Sequence, residues 1–257
     1  MRLLFIGRTD HVHFRRWVES FPRLGHEVWA VDIENEKPTS IPGVKVRTLL
    51  SRRKRPALHR LELRALFHLI RPHVVHAHWA QYGYLPLVAK LHPLVVTAWG
   101  SDVLLPETFS VGANAQIDQV LSQADLITCD SNDMRTAILK RNGGKVPVEV
   151  VQWGVDMRMF RPDLDVADLR RELNLGNGPV IFNPRQLDPV YNPETALQAI
   201  PGVLAEFPEA RFIFKHYIQE PERVAEIRQL ANTLGIAESV RFLDSVPYET
   251  MAKLYAL

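Results

Sequence analysis

The side chains best suited to chemistry fall in short polar runs directly behind apolar segments. Val74 and Val75 lead into His76, Ala77, His78 and Trp79, and the apolar residues 94–98 lead into Trp99, Gly100, Ser101 and Asp102. In open α/β sheets ligands bind outside the carboxyl ends of parallel strands. Two neighbouring strands would therefore deliver histidines, indoles and a carboxylate to one edge. Trp99, Ser101 and Asp102 suit a sugar, with a ring to stack on and a carboxylate to accept its hydroxyls. The plainer alternative is that Ser101 or Asp102 caps the helix that follows. His76 and His78 are expected on opposite faces of their strand, one packing inward and one, His78, reaching the edge as a catalytic candidate with Asp102. No neighbouring Cys, Asp or Glu completes a metal-ligand pattern, so no metal is expected.

The earlier run from Gly7 through Arg8, Thr9, Asp10, His11 and Val12 to His13 joins a strand to a helix. Backbone N–H groups and the helix dipole make such a turn a seat for a phosphate or carboxylate, although an ordinary polar turn reads the same way. It lacks the glycine spacing of a dinucleotide-binding turn, and the chain has no P-loop. Further on, Arg185 follows the apolar run 180–182, and its planar fork suits a diphosphate. A surface ion pair with Asp188 is the bland alternative. Lys215, beside His216 and Tyr217, is a second cation, and Tyr191 and Asp244 complete the candidates on this side. Arg47, Arg52, Arg53, Lys54, Arg55, His59, Arg60 and Arg64 crowd around one helix start whose other side carries Leu58, Leu61 and Leu66. Residues 47–64 could rest on an anionic membrane surface or form a solvated basic loop. No Ser-His-Asp set or nucleophile elbow is visible.

The elements that must position these residues alternate. Apolar runs at 3–7, 27–31, 44–48, 74–78, 94–98, 126–129 and 148–151 read as strands. Helical spacing marks residues 14–24, 58–69 and 131–141, with Gly25 as a helix end and Ser131 as an N-cap. Turn formers and a proline across 153–162 suggest a linker. A second series follows, with strands at 180–182, 211–215 and 240–243 and helices starting near Pro193, Pro221 and Pro247. Such alternation implies doubly wound parallel sheets, here two α/β domains over residues 1–160 and 161–257. With 257 residues and 46% hydrophobic composition the chain can bury a sizeable core. No apolar run reaches the ~18 to 20 residues of a membrane span, no cleaved leader is expected, and the single cysteine fits a reducing, cytoplasmic setting. A net charge of +2 argues against a nucleic-acid partner. The last helix still carries core-type residues at 254–257; a chain cut inside its second domain is expected over a helix docked on its own sheet.

Several segments, taken in order, resemble the retaining glycosyltransferases of the GT-B fold, family four. They are Leu24-Gly25-His26-Glu27-Val28, Val75-His76-Ala77-His78-Trp79, Val96-Thr97-Ala98-Trp99-Gly100-Ser101-Asp102, Ala124-Asp125-Leu126-Ile127 and Trp153-Gly154-Val155-Asp156 with Phe160 and Pro162. Arg185 with Asn192-Pro193-Glu194, then Val240-Arg241-Phe242-Leu243 with Val246-Pro247, complete the set. The resemblance implies two Rossmann-like domains, the second incomplete, and transfer of a sugar from a nucleoside diphosphate to an acceptor hydroxyl without a cofactor or metal. It implies a glycan or lipid acceptor on the first domain, near His11, His13, Trp99 and Ser101. The sugar nucleotide would lie on the second domain, near Arg185, Lys215, Tyr191 and Asp244, with Gly7 contributing from the first. Contact through residues 47–64 would place the protein at the inner face of the cytoplasmic membrane. Arg185 matches the family's phosphate arginine, but the family's partner lysine falls on Tyr191 and its fifth-strand histidine on Trp99. The Glu-x7-Glu element would lie past Leu257, so little turnover is expected of this chain alone. A sugar-nucleotide epimerase and a non-catalytic carbohydrate-binding or assembly protein are the alternatives.

Overall fold

A computed structural model describes residues 1–35, 37–49, 56–216 and 221–257. The chain divides into two compact units, Met1–Trp153 and Gly154–Leu257, slightly earlier than the turn formers around Phe160 suggested.

The first unit opens with β1 (Arg2–Gly7), α1 (Val12–Val18) and α2 (Ser20–Arg23), then β2 (Glu27–Asp32), β3 (Val44–Thr48), α3 (Pro56–Ile70) and β4 (Val74–His78). It continues through α4 (Tyr84–Val88), β5 (Leu94–Thr97), α5 (Ser101–Leu104), α6 (Val111–Gln123), β6 (Leu126–Cys129), α7 (Asn132–Asn142) and β7 (Val148–Val150). The seven strands form one sheet in the order β3-β2-β1-β4-β5-β6-β7, and every pairing is parallel. Strands buried on both faces need apolar residues at consecutive positions, which is why β1 reads Leu-Leu-Phe-Ile without polar alternation. One face places Leu4, Ile6, Val75, Ala77 and Val96 against Leu63 of α3, Ile117 and Leu121 of α6, and Met134 and Ile138 of α7. The other places Leu3, Phe5, Val28 and Ala30 against Phe14 and Val18 of α1. The winding direction reverses between β1 and β4, so the crevice at their carboxyl ends is the topological switch point where such sheets bind ligands.

The helix expected over residues 14–24 is two helices. Pro22 has no N–H and its ring would clash with the carbonyl of Val18, so a single helix cannot run through it; it is tolerated in the first turn of a new one. Gly7 ends β1 under Phe14. A Cβ there would lie 2.6 and 2.7 Å from two Phe14 ring carbons, and the ring is fully buried. Packing alone thus requires glycine at a position read above as a ligand contact.

The second unit comprises α8 (Ala167–Glu172), β8 (Val180–Asn183), α9 (Pro193–Glu206), β9 (Arg211–Lys215), α10 (Pro221–Thr233), β10 (Val240–Leu243) and α11 (Tyr248–Tyr255). Its parallel sheet has the order β10-β9-β8. Leu197, Ile200, Phe212, Phe214, Ile227 and Val240 fill one face. On the other, Leu254 of α11 packs with Ile213 and Leu175, so the last helix docks on its own sheet.

Substituting Gly7→Ala should destabilise the first unit by about 1 to 3 kcal/mol, the usual cost of overpacking a filled core. Urea unfolding measures it, and an unchanged midpoint would show that Phe14 can move.

Candidate functional site

Trp99 is the centre of an aromatic cluster at the carboxyl edge of the first sheet. His11, from the β1–α1 loop, meets it edge-on with ring centroids 4.6 Å apart, and His13 lies 6.0 Å away. Trp79, just past β4, stacks on it at 6.2 Å and 16°. Trp153 packs 5.3 Å from Trp99 and 4.9 Å from His13; the turn formers after it disguised it as linker. The indole nitrogens of Trp79, Trp99 and Trp153 have no hydrogen-bond partner within the protein. His11 Nδ1 accepts the backbone N–H of His13 at 3.3 Å, capping α1. That bond leaves the proton of the neutral ring on Nε2. Those three indole nitrogens are buried, so the edge presents ring faces and the Nε2–H of His11, a combination suited to an oxygen-rich, ring-shaped ligand.

Two buried carboxylates hold these loops. Asp102 accepts the N–H of Ala80 at 2.7 Å, of Trp99 at 3.0 Å and of Gly100 at 2.9 Å. Burial pushes its carboxyl up, opposed by those same bonds. Its oxygens are filled and inaccessible, so Asp102 shapes the loop instead of gripping a sugar hydroxyl as the sequence suggested. Nor does Ser101 cap α5, whose N-cap is Gly100 without a side-chain bond. The loop needs such a tie because Trp79 has φ +79° and Gly100 φ +123°. A non-glycine residue there costs on the order of 1–3 kcal/mol. Asp32, which no local pattern marked, does the same for the β1–α1 loop. It accepts from Thr9 N at 2.8 Å, Thr9 Oγ1 at 2.6 Å, Glu34 N at 3.0 Å and Asn35 N at 2.8 Å. Burial raises its carboxyl, but the bonds from Thr9 and Asn35 outweigh that and hold it below its usual value.

His76 and His78 share one face of β4, contrary to the expectation above. Successive side chains alternate along a strand, so residues two apart lie together, and the rings sit 4.4 Å apart. Both are buried, among Phe5 and Trp17. His76 Nε2 lies 2.7 Å from Thr97 Oγ1, which lies 2.7 Å from Thr128 Oγ1. Neither nitrogen of His78 has a hydrogen-bond partner, and Phe14 closes over it. His78 is thus part of the wall behind Trp99 (centroids 6.1 Å apart) and does not reach the edge. Burial pushes His76 down to about 3 and His11 to about 4, the latter helped by His13 and Arg8. It also lowers His13, with Arg16, and His78, with His76. All four rings are neutral near pH 7. Among the described residues no group of three or more His, Cys, Asp or Glu is placed to share a metal ion.

In the second unit Arg185 is exposed beyond β8, its N–H bonded to Asn183 Oδ1 at 3.0 Å. Its guanidinium lies over the Tyr191 ring, 5.4 Å from the centroid. The alternative, an ion pair with Asp188, does not form; Asp188 accepts the N–H of Val190 instead, at 3.0 Å. Lys215 is buried at the end of β9, so it is not the accessible cation the sequence suggested. Asp244 is exposed, with Oδ1 3.3 Å from Nδ1 of buried His216. Of the basic cluster, Arg47 lies over the Trp29 ring at 5.4 Å. Arg52, Arg53, Lys54, Arg55 and Tyr217 fall outside the described residues.

This arrangement has relatives. The family model described as "Glycosyl transferase 4-like" matches residues 2–131, which include the whole edge from Gly7 to Asp102. The chain belongs to that family. A D-inositol 3-phosphate glycosyltransferase of Acidothermus cellulolyticus is 28% identical over 206 residues, covering 71% of this chain and 44% of its own. A GDP-mannose-dependent alpha-(1-6)-phosphatidylinositol monomannoside mannosyltransferase of Mycobacterium tuberculosis is 25% identical over 197 residues, covering 74% and 50%. This family member thus spans about half the length, or less, of the curated relatives it matches. Anabaena HepE, solved in complex with UDP and glucose, superposes with a TM-score of 0.76 at 19% identity over 99% of this chain and 71% of that one. That likeness supports the GT-B class of fold, two Rossmann-like units with a second sheet of three strands.

Replacing Asp102 by Asn leaves one acceptor oxygen for three N–H groups and should cost about 2 to 3 kcal/mol in urea unfolding. A loss under about 0.5 kcal/mol, within the range of an inconsequential surface change, would remove the clamp from the account. The depressed histidines fix an acid dependence as well. The unfolded chain binds their protons near pH 6.5 and the folded chain only at lower pH, so stability is full above about 6.5 and falls as pH drops. At pH 5 His76 alone should account for about 2 kcal/mol. His76→Gln should flatten the fall between pH 7 and 5, and an equal slope in the variant would contradict it.

Proposed function

We propose that this chain is part of a retaining glycosyltransferase that moves a sugar from a nucleoside diphosphate to a hydroxyl of a glycan or lipid-linked acceptor. The observation that carries the proposal is the ligand-facing edge at the β1/β4 switch point, falling within the part of the chain that defines the family. In this reading residues 1–160 take the acceptor. His11, His13, Trp99 and Ser101 face it, joined by Trp79 and Trp153, with Nε2–H of neutral His11 as a fixed donor to a sugar oxygen. Residues 161–257 take the sugar nucleotide; that a sugar nucleotide is the donor is supported by the relative that depends on GDP-mannose and the neighbour solved with UDP and glucose.

The chemical demand is to stabilise charge developing on the departing diphosphate. Arg185 supplies a permanent cation for it. Its guanidinium carbon lies 5.4 Å from the centroid of the Tyr191 ring, and in this reading that cation–π contact holds the arginine in place of a second cation. Donor transfer needs no protein-bound cofactor in this scheme. A lipid-linked acceptor would bring the enzyme to the inner face of the cytoplasmic membrane.

Calorimetric titration of the 257-residue chain with UDP-glucose, GDP-mannose and ADP-glucose tests the donor assignment. Binding of one of them should weaken about 10- to 100-fold in Arg185→Ala, the worth of a charge-assisted hydrogen bond. Equal affinity in the variant would sink the role given to Arg185.

A further inference from the structure

The segment between β8 and α9 holds both residues on which the donor reading relies, Arg185 and Tyr191. Much of its hydrogen bonding is local. The Arg185 N–H donates to Asn183 Oδ1 at 3.0 Å. Asp188 accepts from Val190 N at 3.0 Å through its side chain and from Tyr191 N at 2.9 Å through its carbonyl. Asn192, at φ +47°, accepts the Thr195 hydroxyl at 3.0 Å and starts α9. Bonds of this span shape single turns. They do not fix where the segment stands on its sheet.

A tie from another helix does. Arg223, in the first turn of α10, is 36 positions from Leu187, and its Nε donates to the Leu187 carbonyl at 2.8 Å. Its Nη2 pairs with Glu194 in the first turn of α9. Its Nη1 lies 3.3 Å from Glu226, one turn further along α10. The Arg223 side chain is 17% exposed and that of Glu194 35%, so the pair is partly buried and little screened. The Leu187 side chain is itself buried in the core with Leu197 and Ile227. Arg223 therefore grips the segment at a point between Arg185 and Tyr191, and grips the helix that follows. Engaging three partners through three nitrogens requires the planar fork of arginine, which a single ammonium cannot reproduce.

We propose that Arg223 is a positioning residue for the donor site, holding residues 185–191 through Leu187 and Glu194 so that Arg185 and Tyr191 are in place before a nucleotide arrives. Its consequence for binding rests on the role given above to Arg185; the holding of the segment does not. Arg223 touches no ligand in this scheme. It reduces the ordering left to be done when a diphosphate binds.

Two measurements on the 257-residue chain test this. One is a double-variant cycle read by calorimetric titration with UDP, GDP and ADP. Arg223→Ala should weaken whichever of them binds by about three- to thirtyfold, the span of coupling within one hydrogen-bonded network, and by no more than Arg185→Ala does. In the Arg185→Ala background the same change should cost less than about twofold. An arginine that merely supports the fold would give no such non-additivity. Arg223→Lys keeps the charge without the fork and should recover little. Parental affinity in Arg223→Ala, additive losses in the cycle, or full recovery by lysine would each overturn the proposal.

The other measurement needs no ligand. In Arg223→Ala the amides of Val190, Tyr191 and Asn192 should exchange at least about fivefold faster, while Ile213 and Phe214 of β9 keep their parental rates and show that the sheet is intact. Unchanged exchange at those three positions would also overturn it. A chain that shows the expected exchange but binds none of the three nucleotides would count against the donor reading alone.

Discussion

The carboxyl edge of the first sheet depends on two carboxylates that never touch solvent. A parallel sheet ends in loops whose N–H groups have no strand partner, and at the switch point these loops must also turn sharply. Asp32 ties the loop after β1 to the loop after β2. Asp102 ties the segments after β4 and β5. Each replaces several missing backbone acceptors with one charged group, which forms shorter and stronger bonds than a neutral one. The strained turn at Trp79 persists because its neighbour Ala80 is held in that way.

Clamped loops explain how so many rings stay gathered without a polar network of their own. Four neutral histidines and four indoles meet around Trp99 and His78, and the neutrality of the imidazoles follows from burial, since a charged one there would lack both water and a counter-ion. A face of fixed rings and donors, with the acidic groups turned away, is organised before any ligand arrives. Such an edge is suited to recognition by shape and hydrogen bonding more than by net charge. The contrast with the second unit is plain. There Arg185 is an exposed cation lying over a tyrosine ring.

Strands and their order of appearance were legible because burial on both faces demands unbroken apolar runs, and the family was legible from motif order. What escaped the sequence depends on contacts between distant residues. Asp32 looks like any polar residue after a strand until Thr9 is brought to it, 23 positions away in the chain. Asp102 was open between sugar contact and structural role, and only burial decides. Trp153 lay among turn formers, whose local signal is stronger than that of one packed ring. The misplacement of His76 and His78 has a different origin, since strand parity does put residues two apart on one face.

The central claim is that Asp32 and Asp102 hold the edge rigid before any ligand binds, and native-state amide exchange tests it most directly. The N–H groups of Thr9, Ala80, Trp99 and Gly100 should exchange as slowly as those within β1 and β4. In Asp102→Asn the last three should speed up while Thr9 stays protected by Asp32. Exchange of all four at the rate of open loops in the parent protein would contradict the account.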